Sequence, residues 1–551
     1  MAAGLQDAFE RIGTAMEHVL PVSHAPGLAL AVTDREEILG VVCRGAADVA
    51  ARTPVGPETR FQIGSISKSF AGLVVLQEVD AGRLDLHVSV NEIVPWLGLA
   101  EPFGPITLHH LMTHTAGVLI GTEDAPTGAG ALFRLRSNPP TTAPGARFLY
   151  SNDGWKVVGA CLEEVTGVPI HRLLQQRVLD PLDMRSSSAL IDDGSYLDVA
   201  VGYEPLFTDR PVQLRHPLVP ATRIVSNTAD GSIVSDVVDM SAYARLLLAG
   251  GDVPDGKGGR IASEGTFASW TKPWVDMGDG AVYGYGLWTE EVDGHRWVAH
   301  SGGMVGYTAA LVTSPDEGLT CVALMNGSGS KHELVRFALA SVRASLGGDS
   351  LPAPYVPPAA TDVPRAGEYQ GRYAGEDGRT LELHADAGGL RLAIGSVSVL
   401  LERDPLTDAG DTFVVPHDAL ERFPLVFRRD ERGSVVEAFH GNTWFRGDGY
   451  DGGPPERAPA EWRRYVGLYR NDDPWSPVLR VLLRKGRLAL QWPAAASDEE
   501  AEEELVALDG EWFAVGDVKA PRRLRFLGQG LGGTTPVAEF NGGQWFRSFE
   551  D

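Results

Sequence analysis

The sequence predicts an α+β chain: a mixed helix-and-strand region followed by two small antiparallel β-barrels. Three observations predict it. Helical and strand-like apolar runs interleave up to about residue 345, a Pro-rich stretch follows, and the remaining chain repeats itself. At 551 residues the chain is too long for one compact domain, and roughly 100–200 residues per domain implies two to four units. Its 43% apolar and 22% charged residues are those of an ordinary globular protein.

The elements follow in order. Phe9 to Leu20 reads as an amphipathic opening helix, and Leu28 to Thr33 with Ile38 to Cys43 as a hairpin. Ser69 to Asp80 is a strongly apolar helix stopped by Ala81-Gly82, with glycine just past the helix end. Ile106 to Gly117 reads as a scaffold helix with a glycine stop and a structural His114. Ala242 to Leu248 is a further helix, ended by Gly250-Gly251. Ala309 to Val312 and Thr320 to Met325, flanked by Gly, Pro and Asp, read as paired antiparallel strands.

Domain boundaries come from composition. Residues 1–346 form the first domain, 347–364 a Pro-rich linker, 365–448 the first barrel, 449–460 a second linker and 461–551 the second barrel. The barrels are read as a duplicated unit. Tyr369-Gln-Gly371-Arg-Tyr373 matches Tyr465-Val-Gly467-Leu-Tyr469, and Asp411-Thr-Phe413 matches Glu511-Trp-Phe513. Gly441-Asn-Thr-Trp444-Phe-Arg446 matches Gly542-Gly-Gln-Trp545-Phe-Arg547. Short alternating runs such as Leu381-Glu-Leu383 and Leu488-Ala-Leu490, cut by Gly and Asp, suggest small barrels packed by the recurring aromatics. The acidic run Asp498 to Glu504 reads as a solvated loop, because like charges repel and stay wet.

Charge narrows the partners. The 48 Lys+Arg against 73 Asp+Glu give −25, which argues against nucleic acid and anionic membrane. No apolar run approaches the roughly 18–20 residues of a membrane span. The opening Met1-Ala-Ala-Gly-Leu-Gln-Asp-Ala-Phe-Glu-Arg lacks an uninterrupted signal-peptide core, so a cytoplasmic location is expected. Cys43, Cys161 and Cys321 are odd in number and far apart, fitting neither a disulfide framework nor a metal spacing. No His-Glu-x-x-His occurs, so no cofactor and no metal are expected.

Three short motifs could carry chemistry. Ser65-Ile-Ser-Lys68 opens an apolar helix, and its three-residue spacing sets the Lys68 ammonium beside the Ser65 hydroxyl. A serine needs such a neighbour to become nucleophilic. Tyr150-Ser-Asn152 offers a phenol that becomes a base only beside cations, for which Lys68 and a nearby imidazolium are candidates. In His300-Ser-Gly302-Gly303 two glycines permit close backbone approach, and the Gly303 amide could join the Ser65 amide in an oxyanion hole. Taken alone, Ser-x-x-Lys is a chance match, and the other two motifs read as turns.

Order and spacing change that reading. Ser-x-x-Lys, then Tyr-x-Asn about eighty residues on, then His-x-Gly about 150 further, resembles the penicillin-recognising serine hydrolases. This is the family of class C β-lactamases and D-alanyl-D-alanine carboxypeptidases. Phe61-Gln-Ile-Gly-Ser-Ile-Ser-Lys, Leu111-Met-Thr-His-Thr-Ala-Gly and Pro144-Gly-Ala-Arg-Phe-Leu-Tyr-Ser-Asn extend the resemblance. So do Asp180-Pro-Leu-Asp-Met184, Asp230-Gly-Ser-Ile-Val-Ser and Tyr283-Gly-Tyr-Gly-Leu. The resemblance implies an antiparallel sheet flanked by helices plus a helical lobe, and lipocalin-like barrels behind it. It implies Ser65 as acylated nucleophile, Lys68 as the group that lowers its pKa, and Tyr150 as general base. Asn152 would hold Lys68 and the substrate amide, His300 would support Tyr150 electrostatically, and Gly302 would line the substrate site. Whether Tyr150 or Lys68 takes the first proton stays open.

At His300 many β-lactamases and cell-wall carboxypeptidases carry Lys, which attracts a substrate carboxylate. Histidine is mostly neutral at pH 7 and disfavours those activities. The family's D-aminopeptidases, D-amino acid amidases and esterases fit better, and its D-aminopeptidases share the two trailing barrels, where a barrel loop selects a free amino group. The first expectation is therefore a serine hydrolase cleaving amides at an N-terminal D-residue. The alternative is an esterase, or a thioesterase or cyclase acting on carrier-bound nonribosomal peptides. A catalytically dead binding protein would be expected to lack one of the five side chains, and no Gly-x-Ser-x-Gly elbow suggests an α/β-hydrolase. The expected partner is a small molecule or short peptide, free or carrier-bound. A homodimer is compatible, and oligomeric state, substrate chirality and aminolysis versus hydrolysis stay open.

Overall fold

The computed structural model describes residues 3–121, 128–254, 259–329, 331–386, 388–406, 410–495, 502–508, 511–530 and 533–548. The chain forms two compact units. One comprises Met1–Glu204 and Leu218–Val356, the other Pro205–Pro217 and Pro357–Asp551. No described helix is long and apolar enough to cross a membrane.

The first unit is built on a nine-stranded antiparallel sheet. Its strands are β1 (Gly27–Thr33), β2 (Ile38–Asp48), β3 (Thr53–Pro54), β4 (Val275–Asp276), β5 (Val282–Tyr283), β6 (Trp288–Val292), β7 (His295–Met304), β8 (Tyr307–Ser314) and β9 (Leu319–Met325). They lie in the order β3-β2-β1-β9-β8-β7-β6-β5-β4. The central strands are apolar without alternation because both faces are covered. In β1, Leu28, Leu30 and Val32 pack with α1 (Ala3–Val19) and the closing helix Lys331–Gly347, whereas Ala29 and Ala31 face the helical lobe.

That lobe centres on α2 (Ser67–Asp80), α3 (Leu108–Met112), α4 (Asn152–Thr166) and α5 (Val237–Leu248). The closing helix Lys331–Gly347 is α6. Helix α2 is buried nearly all round, with Phe70 stacked on Tyr243 at 3.5 Å, which explains its apolar sequence. Beyond α6, the extended stretch before Val356 lies on α1, where Arg11 donates to the carbonyl of Pro352 at 2.8 Å. Cys43, Cys161 and Cys321 are free thiols, and burial pushes each pKa up.

Three local expectations differ from the structure. The region Ile106 to Gly117 is helical only over α3, because the chain breaks at Thr113 and His114 takes φ 56°. His300-Ser-Gly302-Gly303 is no turn but the interior of β7, paired Gly302↔Ala309 and Gly303↔Thr308 with β8. Of the acidic run, residues 498–501 lie outside the described residues, while Glu502–Ala507 is a strand in which Glu502 pairs with Arg484 at 2.7 Å. A buried guanidinium there supplies the counter-charge that sequence alone could not show.

In the second unit, the first barrel is an eight-stranded sheet between Gly371 and Gly447, joined across its open edge by one bridge, Glu402↔Val414. The second is a closed eight-stranded barrel between Gly467 and Arg547. A cleft of about 630 Å³ runs between them, and its cations are largely paired, Arg484 with Glu502, Lys485 with Glu437 and Arg487 with Glu504. The arm Pro205–Pro217 belongs to this unit although sequence reading places it in the first domain. Its Arg210 and Arg215 both pair with the buried Glu421, and Arg480 donates to the carbonyl of Asp209 at 2.6 Å. Arginine side chains separated from Glu421 by two hundred residues leave no local trace in the sequence.

Candidate active site

Ser65 sits in a single 3₁₀ turn, Gly64–Ile66, that leads directly into α2. It is half-buried, while Lys68 in the first turn of α2 is fully buried. The Lys68 ammonium donates to Ser65 Oγ at 2.8 Å, to Asn152 Oδ1 at 2.9 Å and to the Asp230 carbonyl at 2.8 Å. An ammonium has three donors, and all are used. Taking it out of water costs several kcal/mol. Hydrogen bonds from a charged donor return about 1.5–3 kcal/mol each, so the three together hold it.

Two glycines let the Ser65 turn meet the sheet. Gly64 has φ 53°, and a Cβ there would lie 2.3 Å from the Gly303 carbonyl oxygen. A Cβ on Gly302 would lie 1.8 Å from the Ile63 carbonyl oxygen and 3.3 Å from the Ser65 amide nitrogen. Neither position accepts a side chain, so the backbone of β7 runs directly against the backbone that carries Ser65.

Tyr150 and Asn152 are placed by the start of α4. Ser151 is its N-cap and accepts from the Gly154 N–H at 2.8 Å, and the Asn152 N–H bonds the Ile120 carbonyl at 2.9 Å. His114 clamps the residues on either side of Tyr150. Its carbonyl accepts from Leu149 N–H at 2.7 Å and its Nδ1 from Ser151 N–H at 2.9 Å. Its ring stacks on Tyr150 with centroids 4.2 Å apart. The backbone at His114 is left-handed, a conformation uncommon outside glycine and found where the surroundings hold it. On the other side, Lys68 Nζ lies 5.1 Å from the centroid of the Tyr150 ring.

His300 lies behind this group. Its Nε2 is 2.9 Å from Tyr283 Oη, and its Nδ1 faces the Ser301 carbonyl. A carbonyl only accepts, so Nδ1 carries the proton and Tyr283 donates to Nε2. Burial, then the Lys68 charge, pushes the His300 pKa down to about 3, and the same two causes hold His114 well below the usual histidine range. Both rings are neutral at pH 7. The imidazolium that the sequence reading set near Tyr150 is absent from these two rings, and Tyr283, which His300 meets, has its ring 4.7 Å from that of His114.

The structure thus gathers Ser65, Lys68, Asn152 and Tyr150, with Gly302 and Gly303 alongside and His300 one layer behind. Sequence reasoning assigned no role to Tyr283 or to the Asp230 carbonyl, although both lie in segments it singled out, and it treated His114 as scaffold.

The profile of the Beta-lactamase family matches residues 12–344, and the chain belongs to that family. A D-aminopeptidase of Brucella ovis is 28% identical over 393 residues, 69% of this chain and 69% of that protein. Penicillin-binding protein 4 of Amycolatopsis lactamdurans is 28% identical over 391 residues, 66% of this chain and 96% of that protein. Among solved structures, the octameric penicillin-binding protein homologue from Pyrococcus abyssi superposes with a TM-score of 0.55 at 24% identity, covering 81% of this chain and 100% of that one. The fold is therefore that of the β-lactamase and penicillin-binding protein hydrolases.

Proposed function

We propose that the chain is an acyl-enzyme serine hydrolase that cleaves amide bonds beside an N-terminal D-residue. The observation that carries the mechanism is the Lys68 ammonium 2.8 Å from Ser65 Oγ with its other two protons committed. Lys68 Nζ is committed to three partners, Ser65, Asn152 and the Asp230 carbonyl, which favours Tyr150 as the base. Ser65 Oγ attacks the substrate carbonyl carbon as its proton passes to the Tyr150 oxygen. The resulting oxyanion lies between the Ser65 and Gly303 amides, each such donor being worth about 3–4 kcal/mol in the transition state. Tyr150 then returns the proton to the leaving amine, and water releases the acyl group by the same steps reversed in role. The preference for a D-residue and a free amine is supported by the D-aminopeptidase relative and by the neutral His300, which offers no charge to a substrate carboxylate.

Initial rates on D-alanine and L-alanine p-nitroanilides, beside a short-chain p-nitrophenyl ester, test the reading. A strong D-preference on the anilide is expected, with Ser65→Ala inactive and Tyr150→Phe slowed about 10²–10⁴-fold. Substantial turnover by Ser65→Ala sinks the mechanism. Ester turnover without anilide cleavage moves the substrate class to esters or carrier-bound thioesters.

A further inference from the structure

Lys331 opens α6, and its Nζ lies 3.4 Å from the carbonyl oxygen of Gly302 in β7. It forms no ion pair with the described residues, and burial alone pushes its pKa down to about 8. The titratable groups that feel its charge are His300 on β7 and His332 on its own helix, pushed down to about 3 and about 4 and so neutral at pH 7. Elsewhere α6 packs through Leu334, Val335 and Ala338 onto the apolar faces of α1, β8 and β9. A partly buried ammonium with no carboxylate partner among the described residues is costly, and among those residues its hydrogen bond goes to the peptide beside Ser65.

The Gly302 carbonyl and the Gly303 N–H are the two ends of one planar trans peptide unit and point in opposite directions. A cation on the oxygen draws electron density toward it and leaves the N–H more positive, because linked hydrogen bonds polarise one another in a low-dielectric interior. We infer that Lys331 is a positioning residue for the reaction: held on the Gly302 oxygen, it polarises the Gly302–Gly303 peptide and strengthens the Gly303 N–H as donor to the oxyanion. The inference rests on the acyl-enzyme reading above. It assigns the charge behind the oxyanion to a side chain that never touches substrate. Its effect belongs to the transition state, where the negative charge develops, and not to ground-state binding.

The test uses the full chain and a short-chain p-nitrophenyl ester, with pH profiles from 6 to 10 for the unaltered protein, Lys331→Met and Lys331→Arg. Lys331→Met should lower kcat about tenfold, a fraction of the loss expected from deleting a whole donor, with KM unchanged. The unaltered protein should lose activity as pH rises through about 8, because the ammonium is present below that value and lost above it. That limb should vanish in Lys331→Met and move upward in Lys331→Arg, whose guanidinium stays charged. An unchanged kcat in a folded Lys331→Met overturns the inference. A raised KM confined to substrates bearing a free carboxylate overturns it too, making Lys331 a substrate anchor. Should Lys331→Met not fold, an alkaline limb in Lys331→Arg identical to that of the unaltered protein does the same. Failure of the ester to acylate Ser65 removes the acyl-enzyme reading itself, a result separable from all of these.

Discussion

The hairpin that ends the first barrel turns on Gly441-Asn442, pairing His440 with Thr443, whereas that of the second turns on Asn541-Gly542, pairing Phe540 with Gly543. Both hairpins then carry Trp-Phe-Arg, but one residue out of step. In the first barrel Phe445 is wholly buried in the core and Trp444 turns to a side cluster with Val426, Phe439 and Tyr450. There its Nε1 donates to Glu437 at 2.8 Å. In the second, Trp545 fills the core and Phe546 is 57% exposed. Side chains alternate faces along a strand, so a one-residue slip exchanges the whole set. The second turn has φ 48° at Asn541 and 81° at Gly542, the pair of left-handed residues that closes a tight two-residue hairpin. In the first, Asn442 Oδ1 accepts from the Leu483 N–H at 2.9 Å, which ties the tip to the neighbouring barrel. Identical tripeptides thus occupy opposite faces, because one residue separates the turn from Trp444 and two separate it from Trp545.

Substitutions rank this difference. Trp545→Ala and Phe445→Ala should each cost about 3–5 kcal/mol, seen as a lowered denaturant midpoint for the barrel unit. Trp444→Ala removes a smaller cluster and should cost about 2 kcal/mol. Phe546→Ala should stay within about 0.5 kcal/mol, as for an exposed side chain. A Trp444→Ala loss larger than that of Phe445→Ala would falsify the slipped register.

The site was more legible than this register. Ser65 and Lys68 announce themselves by three-residue spacing on a helix, and Tyr150 and Asn152 by their place in the motif order. The opening hairpin followed from composition and spacing, and β1 and β2 pair antiparallel as expected. What stayed hidden depends on contacts distant in sequence. The clamp at His114 sits on a left-handed backbone that no periodicity encodes. Two glycines inside β7 looked like a turn, because only the approach of the Ser65 loop explains them. Lys331 carries no motif, since its role depends on a carbonyl 29 positions away.

The arm Pro205–Pro217 has a consequence for how the molecule is made. Arg210 and Arg215 are synthesised 211 and 206 residues before Glu421, the carboxylate they share. At roughly 5–20 residues per second, the ribosome takes about 10–40 s to supply it. Throughout that interval the arm lacks the carboxylate its two arginines share, and the residues before it lack the strands from Val275 to Met325 that complete their sheet.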